Sequence, residues 1–208
     1  MAGLRLQGIR SKVLEPVDLE LAAGELALIS GPSGSGKSLL LRAVADLDLH
    51  QGEAWIEGTP RSAISAPEWR RRVGLLPAES HWWADRVGDH FPDPNCRVRV
   101  GAPEIAGLLE RLGFDDEVLD WSVSRLSTGE RQRLALARLI ARKPEALLLD
   151  EATANLDPLN RDRVEAIIRD YRLERAAAVL WVSHDPEQRR RLEGRRLVIR
   201  DARLEPEP

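Results

Sequence analysis

Residues 31–38 read Gly-Pro-Ser-Gly-Ser-Gly-Lys-Ser, a full match to G-x-x-x-x-G-K-[ST]. A cradle for phosphate needs backbone N–H groups that face the anion with no side chain between. Gly31, Gly34 and Gly36 supply that access, with Pro32, Ser33 and Ser35 filling the turns between them. Lys37 can neutralise β- and γ-phosphate charge, and the Ser38 hydroxyl can ligate Mg²⁺. A Gly/Ser-rich turn can match such a pattern by chance. Composition weighs against chance here: lysine occurs only at positions 12, 37 and 143 of an otherwise arginine-based set of 31 basic residues. One of the three stands where a compact ammonium is needed.

A second chemical feature is Leu147-Leu-Leu-Asp-Glu151, an apolar run ending in two adjacent carboxylates. Ligands bind at the carboxyl edge of parallel sheets, where such a strand would end. Asp150 can hold Mg²⁺, and Glu151 is suited to polarising an attacking water. The bland alternative is an acidic strand end without a task. Together the two features imply a nucleoside triphosphatase of the phosphate-loop class.

The elements that must position these residues follow from apolar patterning. Residues 25–30 read as a short buried strand that stops at Gly31, and residues 38–45 have helical character. An antiparallel strand bounded by glycines is expected over 52–58 and a buried strand over 73–76. From 84 to 101 the chain carries Pro92, Pro94 and several charges, which suits an irregular connector. Helices are expected over 103–112, with Pro103 near the start, and over 129–142. Buried strands return at 146–150 and 178–183. A helix-rich lobe thus interrupts two α/β halves. The runs Arg70–Arg72 and Arg189–Arg191 read as solvated faces.

Composition sets outer bounds. The 208 residues are 43% hydrophobic and 31% charged, which supports one sizeable α/β core. A net charge of −3 argues against a large sequence-independent grip on nucleic acid. The longest apolar run, 176–182, is far below the roughly 20 residues of a membrane-spanning helix. Cys96 is the single cysteine, so no internal disulfide is possible, and the first residues lack a secretory pattern. The expected compartment is the cytoplasm.

The class narrows at Leu126-Ser-Thr-Gly-Glu130 and the helical stretch after it, Arg131-Gln-Arg-Leu-Ala-Leu-Ala-Arg138. This resembles the signature motif of ABC-type ATPases, with Thr128 for the first glycine and Glu130 for the glutamine. Ser127 and Gly129 remain, offering a hydroxyl and an unobstructed N–H at a helix start. Ser127 and Glu130 also suit a capping box, and both readings can hold at once. Ala154-Asn-Leu-Asp157 lies where the family has its D-loop, and Val182-Ser-His-Asp185 where it has a switch histidine, here His184. The resemblance covers nearly the whole chain, and the short length with the run Val179-Leu-Trp-Val-Ser-His-Asp185 resembles small bacterial ABC ATPases, including those linked to iron export.

That resemblance implies a RecA-like α/β core with an antiparallel β subdomain (1–83 and 143–208) and an inserted helical subdomain (84–142). It implies ATP and Mg²⁺ as ligands and hydrolysis aided by Lys37, Glu151 and His184. It further implies a head-to-tail homodimer in which Ser127, Gly129 and Asp157 complete the partner's nucleotide site. A separately encoded membrane permease is the expected partner, with this subunit peripheral on the inner membrane face. A soluble non-transport ABC ATPase and a weakly hydrolysing regulatory module are the competing readings.

Two departures from the pattern stand out, together with one feature, the adjacent Trp82 and Trp83, that the pattern does not explain. Ala78 occupies the place of a glutamine that in the family contacts the metal or water, so that task is lost or moved to Glu79 or His81. Residues 8–14 hold no aromatic to stack on adenine; Arg10 can offer its guanidinium plane instead. Trp82 and Trp83 are adjacent, and suit either core packing or an interface.

Overall fold

The computed structural model describes residues 2–91 and 103–207, so most of the proline-bearing connector, with Pro92, Pro94 and Cys96, lies outside the described residues. The chain forms two compact units: residues 1–78, 144–152 and 170–208 in one, 79–143 and 153–169 in the other.

The first unit contains two sheets. Strands β1 (Ala2–Arg10), β2 (Val17–Ala22), β4 (Gln51–Ile56) and β5 (Thr59–Pro60) form an antiparallel sheet in the order β2-β1-β4-β5. In β2 burial alternates residue by residue, the pattern of a strand with one face on the core. The second sheet has β3 (Leu26–Ser30), β6 (Val73–Leu76), β7 (Ala146–Asp150), β8 (Ala178–Val182), β9 (Arg195–Arg200) and β10 (Arg203–Pro206). Its order is β10-β9-β3-β8-β7-β6, parallel throughout except for β10 against β9. β3, β7 and β8 are buried at every residue, which explains their unbroken apolar sequences.

Between the sheets lies the core, with Leu4, Leu6 and Ile56 from one and Ile29, Leu148 and Leu180 from the other. Helix α1 (Lys37–Val44) adds Leu40 and Leu41, and α2 (Ala66–Arg72) adds Trp69. The Trp69 indole N–H donates to the Val44 carbonyl at 2.8 Å, so this fully buried ring leaves no unsatisfied donor.

The second unit is helical. It contains α3 (Pro103–Arg111), α4 (Thr128–Ile140), the first part of α5 (Pro158–Arg175), and short 3₁₀ turns at Val87–His90, Asp116–Asp120 and Val123–Arg125. The expected lobe of 84–142 is therefore shifted to 79–143 and enlarged by 153–169. Local packing explains the enlargement. Arg163 of α5 lies over Gly113, close to Arg133 of α4, whose guanidinium stacks on the Phe114 ring at 4.3 Å.

Expected strands and helices recur with ends shifted by one or two residues. The strands β1, β2, β9 and β10 and the 18-residue α5 go beyond the sequence expectation. Register shifts between Leu6 and Ile9 interrupt the period of β1, and β9 begins and ends on exposed arginines.

Candidate functional site

Strand β3 delivers the chain to the phosphate loop, and α1 starts at Lys37 as it leaves. Two glycines are required by geometry. Gly31 has φ of 144°, and a Cβ there would lie 2.7 Å from the Ile199 carbonyl oxygen of β9. Gly36 has φ of 100°, and its Cβ would meet Val13 Cγ2 and Leu14 Cγ at 2.9 Å. The loop is thus pinned on one side by β9 and on the other by the 13–14 segment. Pro32, Ser33 and Gly34 are exposed at its crest, as is Ser38 in the first turn of α1, while Ser35 folds inward with its N–H donating to the Pro32 carbonyl at 3.2 Å. The first turn of a helix leaves its N–H groups without intrahelical acceptors, so they can serve an anion.

Lys37 is buried, and its ammonium donates to the Gly31 and Pro32 carbonyls, each at 2.8 Å. These bonds anchor the cation across the loop and leave a third N–H for another acceptor. Burial lowers its pKa; the negative charges of Glu151 and Asp150 work in the opposite direction.

Those two carboxylates stand where β7 ends. Asp150 is its last residue and is buried. Glu151 follows in the left-handed region, φ 52°, with its N–H donating to the Val182 carbonyl at 3.1 Å. A positive φ at a non-glycine residue is uncommon and concentrates at functional sites. Here it turns the Glu151 side chain out of the strand direction, and its Oε1 lies 3.3 Å from His184 Nε2. Burial raises the Glu151 pKa above the ordinary carboxylate value, while the His184 charge and backbone N–H pull it back. His184 itself is half exposed, on the turn after β8. The structure therefore brings Lys37, Asp150, Glu151 and His184 to one edge of the parallel sheet. Ser38 and Asp150 offer hard oxygen donors that suit Mg²⁺, which takes one or two protein oxygens and keeps water and phosphate ligands.

In the helical unit, Ser127 is the N-cap of α4. Its Oγ accepts from the Glu130 N–H at 3.3 Å, and the Glu130 carboxylate accepts from the Ser127 N–H and Oγ, each at 2.8 Å. These bonds, the backbone one first, hold the Glu130 pKa below its usual value. The capping box read from sequence is present. Gly129 sits in a tight spot: a Cβ would approach the Asn155 carbonyl oxygen and Leu156 Cδ2 at 3.3 Å, so these neighbours would have to give by a few tenths of an ångström. Asp157 is exposed, and its carboxylate accepts from the Asn160 N–H at 3.0 Å and side-chain amide at 2.5 Å at the start of α5.

Ala78 is half-buried after β6, and Glu79 and His81 are exposed. The atoms nearest a Cβ on Gly36 belong to the aliphatic Val13 and Leu14, and Arg10 is exposed. Trp82 and Trp83 pack edge-on against His90, with centroids at 4.7 and 4.5 Å. Arg138 lies 4.9 Å over each ring and donates to the His81 carbonyl. His90 is fully buried: its Nε2 accepts from the Trp83 and Ala84 N–H groups, and Nδ1 faces the Arg86 carbonyl at 2.9 Å. This histidine was not singled out from sequence, where nothing marks it apart from its neighbours.

A family model described as ABC transporter matches residues 14–154. The chain is 37% identical over 182 residues to the probable iron export ATP-binding protein FetA of Escherichia coli (strain K12), covering 86% of this chain and 80% of that protein. It is 40% identical over 194 residues to the aliphatic sulfonates import ATP-binding protein SsuB 3 of Nocardia farcinica (strain IFM 10152), covering 93% and 73%. Among solved structures, a dimeric ATP-binding cassette in a post-hydrolysis state with ADP and Pi superposes with a TM-score of 0.82 at 24% identity, covering 99% of this chain and 97% of that one. A bacterial Atm1-family ABC exporter with ATP bound gives the same score at 23% identity, spanning 98% of this chain and 38% of the exporter. These structural likenesses establish the cassette fold.

Proposed function

Because the chain belongs to the ABC transporter family, we propose that it is the ATP-hydrolysing subunit that powers a separately encoded membrane permease. The observation that carries this reading is the convergence of an anchored lysine with a Glu151–His184 pair at one sheet edge. The exposed loop crest and the first turn of α1 bind the triphosphate through backbone N–H groups. Lys37 neutralises charge on the transferred phosphoryl group. Ser38 and Asp150 hold Mg²⁺, which supplies charge stabilisation to the phosphate oxygens when bound. Glu151, ionised, orients the attacking water and draws on its proton. His184 donates to the γ-phosphate and keeps Glu151 in place from its other side.

Ser127 and Gly129, at the capped start of α4, present a hydroxyl and an N–H to nucleotide held by a second copy in a head-to-tail dimer. Asp157, at the start of α5, lines that same interface. ATP then favours the closed dimer, and hydrolysis releases it, which gives the permease a two-state drive. Among the described residues no helix is long and apolar enough to cross a membrane; the subunit works at the cytoplasmic face through its partner. Relatives named for iron export and for sulfonate import share this cassette, so cargo is set by the permease.

The test is affinity capture of tagged Glu151→Gln protein from membranes of the native cell with ATP present, beside ATP turnover by the unaltered purified chain. Recovery of a polytopic membrane protein together with turnover supports the reading. Turnover with no membrane partner, under detergents that preserve a control transporter, moves the function to a soluble ABC ATPase. Absence of turnover overturns the enzyme assignment.

A further inference from the structure

The turn that carries His184 is held by a network that none of the motifs predicts. Ser183 donates from its N–H to the Ile29 carbonyl at 3.1 Å and from its Oγ to Gln188 Oε1 at 2.6 Å; the same Oγ accepts from the Asp185 N–H at 3.1 Å. Gln188 is almost fully buried. Arg189, in the short helix α6 (Pro186–Arg191), reaches back to the Ser183 carbonyl with Nη1 at 3.0 Å. Its Nη2 donates to Glu207 Oε1 at 3.3 Å. That same oxygen lies 3.2 Å from Ser30 Oγ, whose one proton is shared between it and the Leu197 carbonyl at 3.3 Å, and Ser30 is the residue directly before Gly31. Glu207 is placed by the strand pair before it, with its N–H donating to the Arg196 carbonyl at 3.0 Å.

One carboxylate oxygen therefore touches both the base of the phosphate loop and the arginine that holds the His184 turn. The Arg189 and Glu207 side chains are only 14% and 24% exposed, so solvent screens the pair less than a surface ion pair. We propose that Glu207 and Arg189 act as a positioning pair that keeps His184 in register with the phosphate loop during hydrolysis. This rests on the ATPase reading above. Neither residue touches nucleotide. They act through the Ser183 carbonyl and Ser30 Oγ, which tie the turn that carries His184 to the residue just before the phosphate loop.

A simple structural clip would cost stability and little else. A positioning role gives a different signature. Glu207→Ala is expected to lower kcat about 5- to 10-fold, with KM for ATP within about twofold, because the Lys37 anchors at Gly31 and Pro32 are untouched. In a His184→Ala background the same substitution is expected to change kcat by less than about twofold, since the group being positioned is gone. Glu207→Gln, which keeps an acceptor for Ser30 and Arg189 but drops the charge, is expected to fall between; it carries the same cycle if Glu207→Ala melts below the assay temperature. Equal fold-losses in the presence and absence of His184, or an unchanged kcat in Glu207→Ala, overturn the proposal while leaving the ATPase reading intact. No turnover by the unaltered chain overturns both.

Discussion

A methyl group added at each glycine of the phosphate loop meets a different environment, which makes a graded series. Gly34 has φ of 77°, and its Cβ would meet nothing within 4 Å. A left-handed backbone costs an L-residue about 1–2 kcal/mol, so Gly34→Ala is expected to weaken ATP binding roughly 5- to 30-fold. Gly36→Ala adds contacts at 2.9 Å with Val13 and Leu14. Overpacking of this kind costs about 1–3 kcal/mol more, although the exposed Val13 can move aside. Gly31→Ala is the severest case. Its Cβ would press within 2.7 Å of the Ile199 carbonyl, and relief requires separating β3 from β9, which are paired at Ser30 and Val198. The expected order of ATP affinity is Gly34→Ala above Gly36→Ala above Gly31→Ala, with Gly31→Ala weakened more than about 100-fold and also lowered in melting temperature. Equilibrium titration with ATP and a thermal melt of each variant measure this. Equal affinities for Gly31→Ala and Gly34→Ala would refute the reasoning, because the loop would then not be pinned by β9.

Three further outcomes follow from the geometry. Burial raises the Glu151 pKa and lowers that of Lys37, so kcat is expected to rise with pH through a value above the ordinary glutamate range, and ATP affinity to fall at a pH below the ordinary lysine range. Between the ordinary and the raised Glu151 value the folded state binds more protons than the unfolded, so this residue's contribution to stability falls as pH rises; Glu151→Gln should remove the kcat limb and flatten that slope in pH-dependent melts. Ser127→Ala removes the acceptor of the Glu130 N–H and is expected to cost about 1 kcal/mol; an unshifted denaturation midpoint would show that the cap does not stabilise α4. Val13 and Leu14, which lie beside Gly36, are aliphatic and their side chains offer no hydrogen bond to the edge of a purine. ATP and GTP are expected to bind within roughly tenfold of each other, and a preference above 100-fold in competition binding would refute it.

The chemistry of this protein was legible locally because its parts are local. A phosphate cradle needs glycines, a lysine and a hydroxyl within eight consecutive residues, and a capped helix needs Ser127 and Glu130 three apart, so spacing alone reveals both. The buried parallel strands were legible for a similar reason: burial on both faces leaves unbroken apolar runs such as 146–149. Within the antiparallel sheet β4 was legible from its bounding glycines, whereas β1 is interrupted by register shifts and β1, β2, β9 and β10 carry exposed charges that break any apolar run. Tertiary structure alone joined residues distant in the chain. It set Glu151 beside His184 across 33 positions, drew 153–169 into the helical unit, and placed the Glu207 carboxylate between Ser30 and Arg189. These contacts have no period and no motif. They depend on which strands become neighbours in a sheet ordered β10-β9-β3-β8-β7-β6, and that order is fixed by the packing of the whole core.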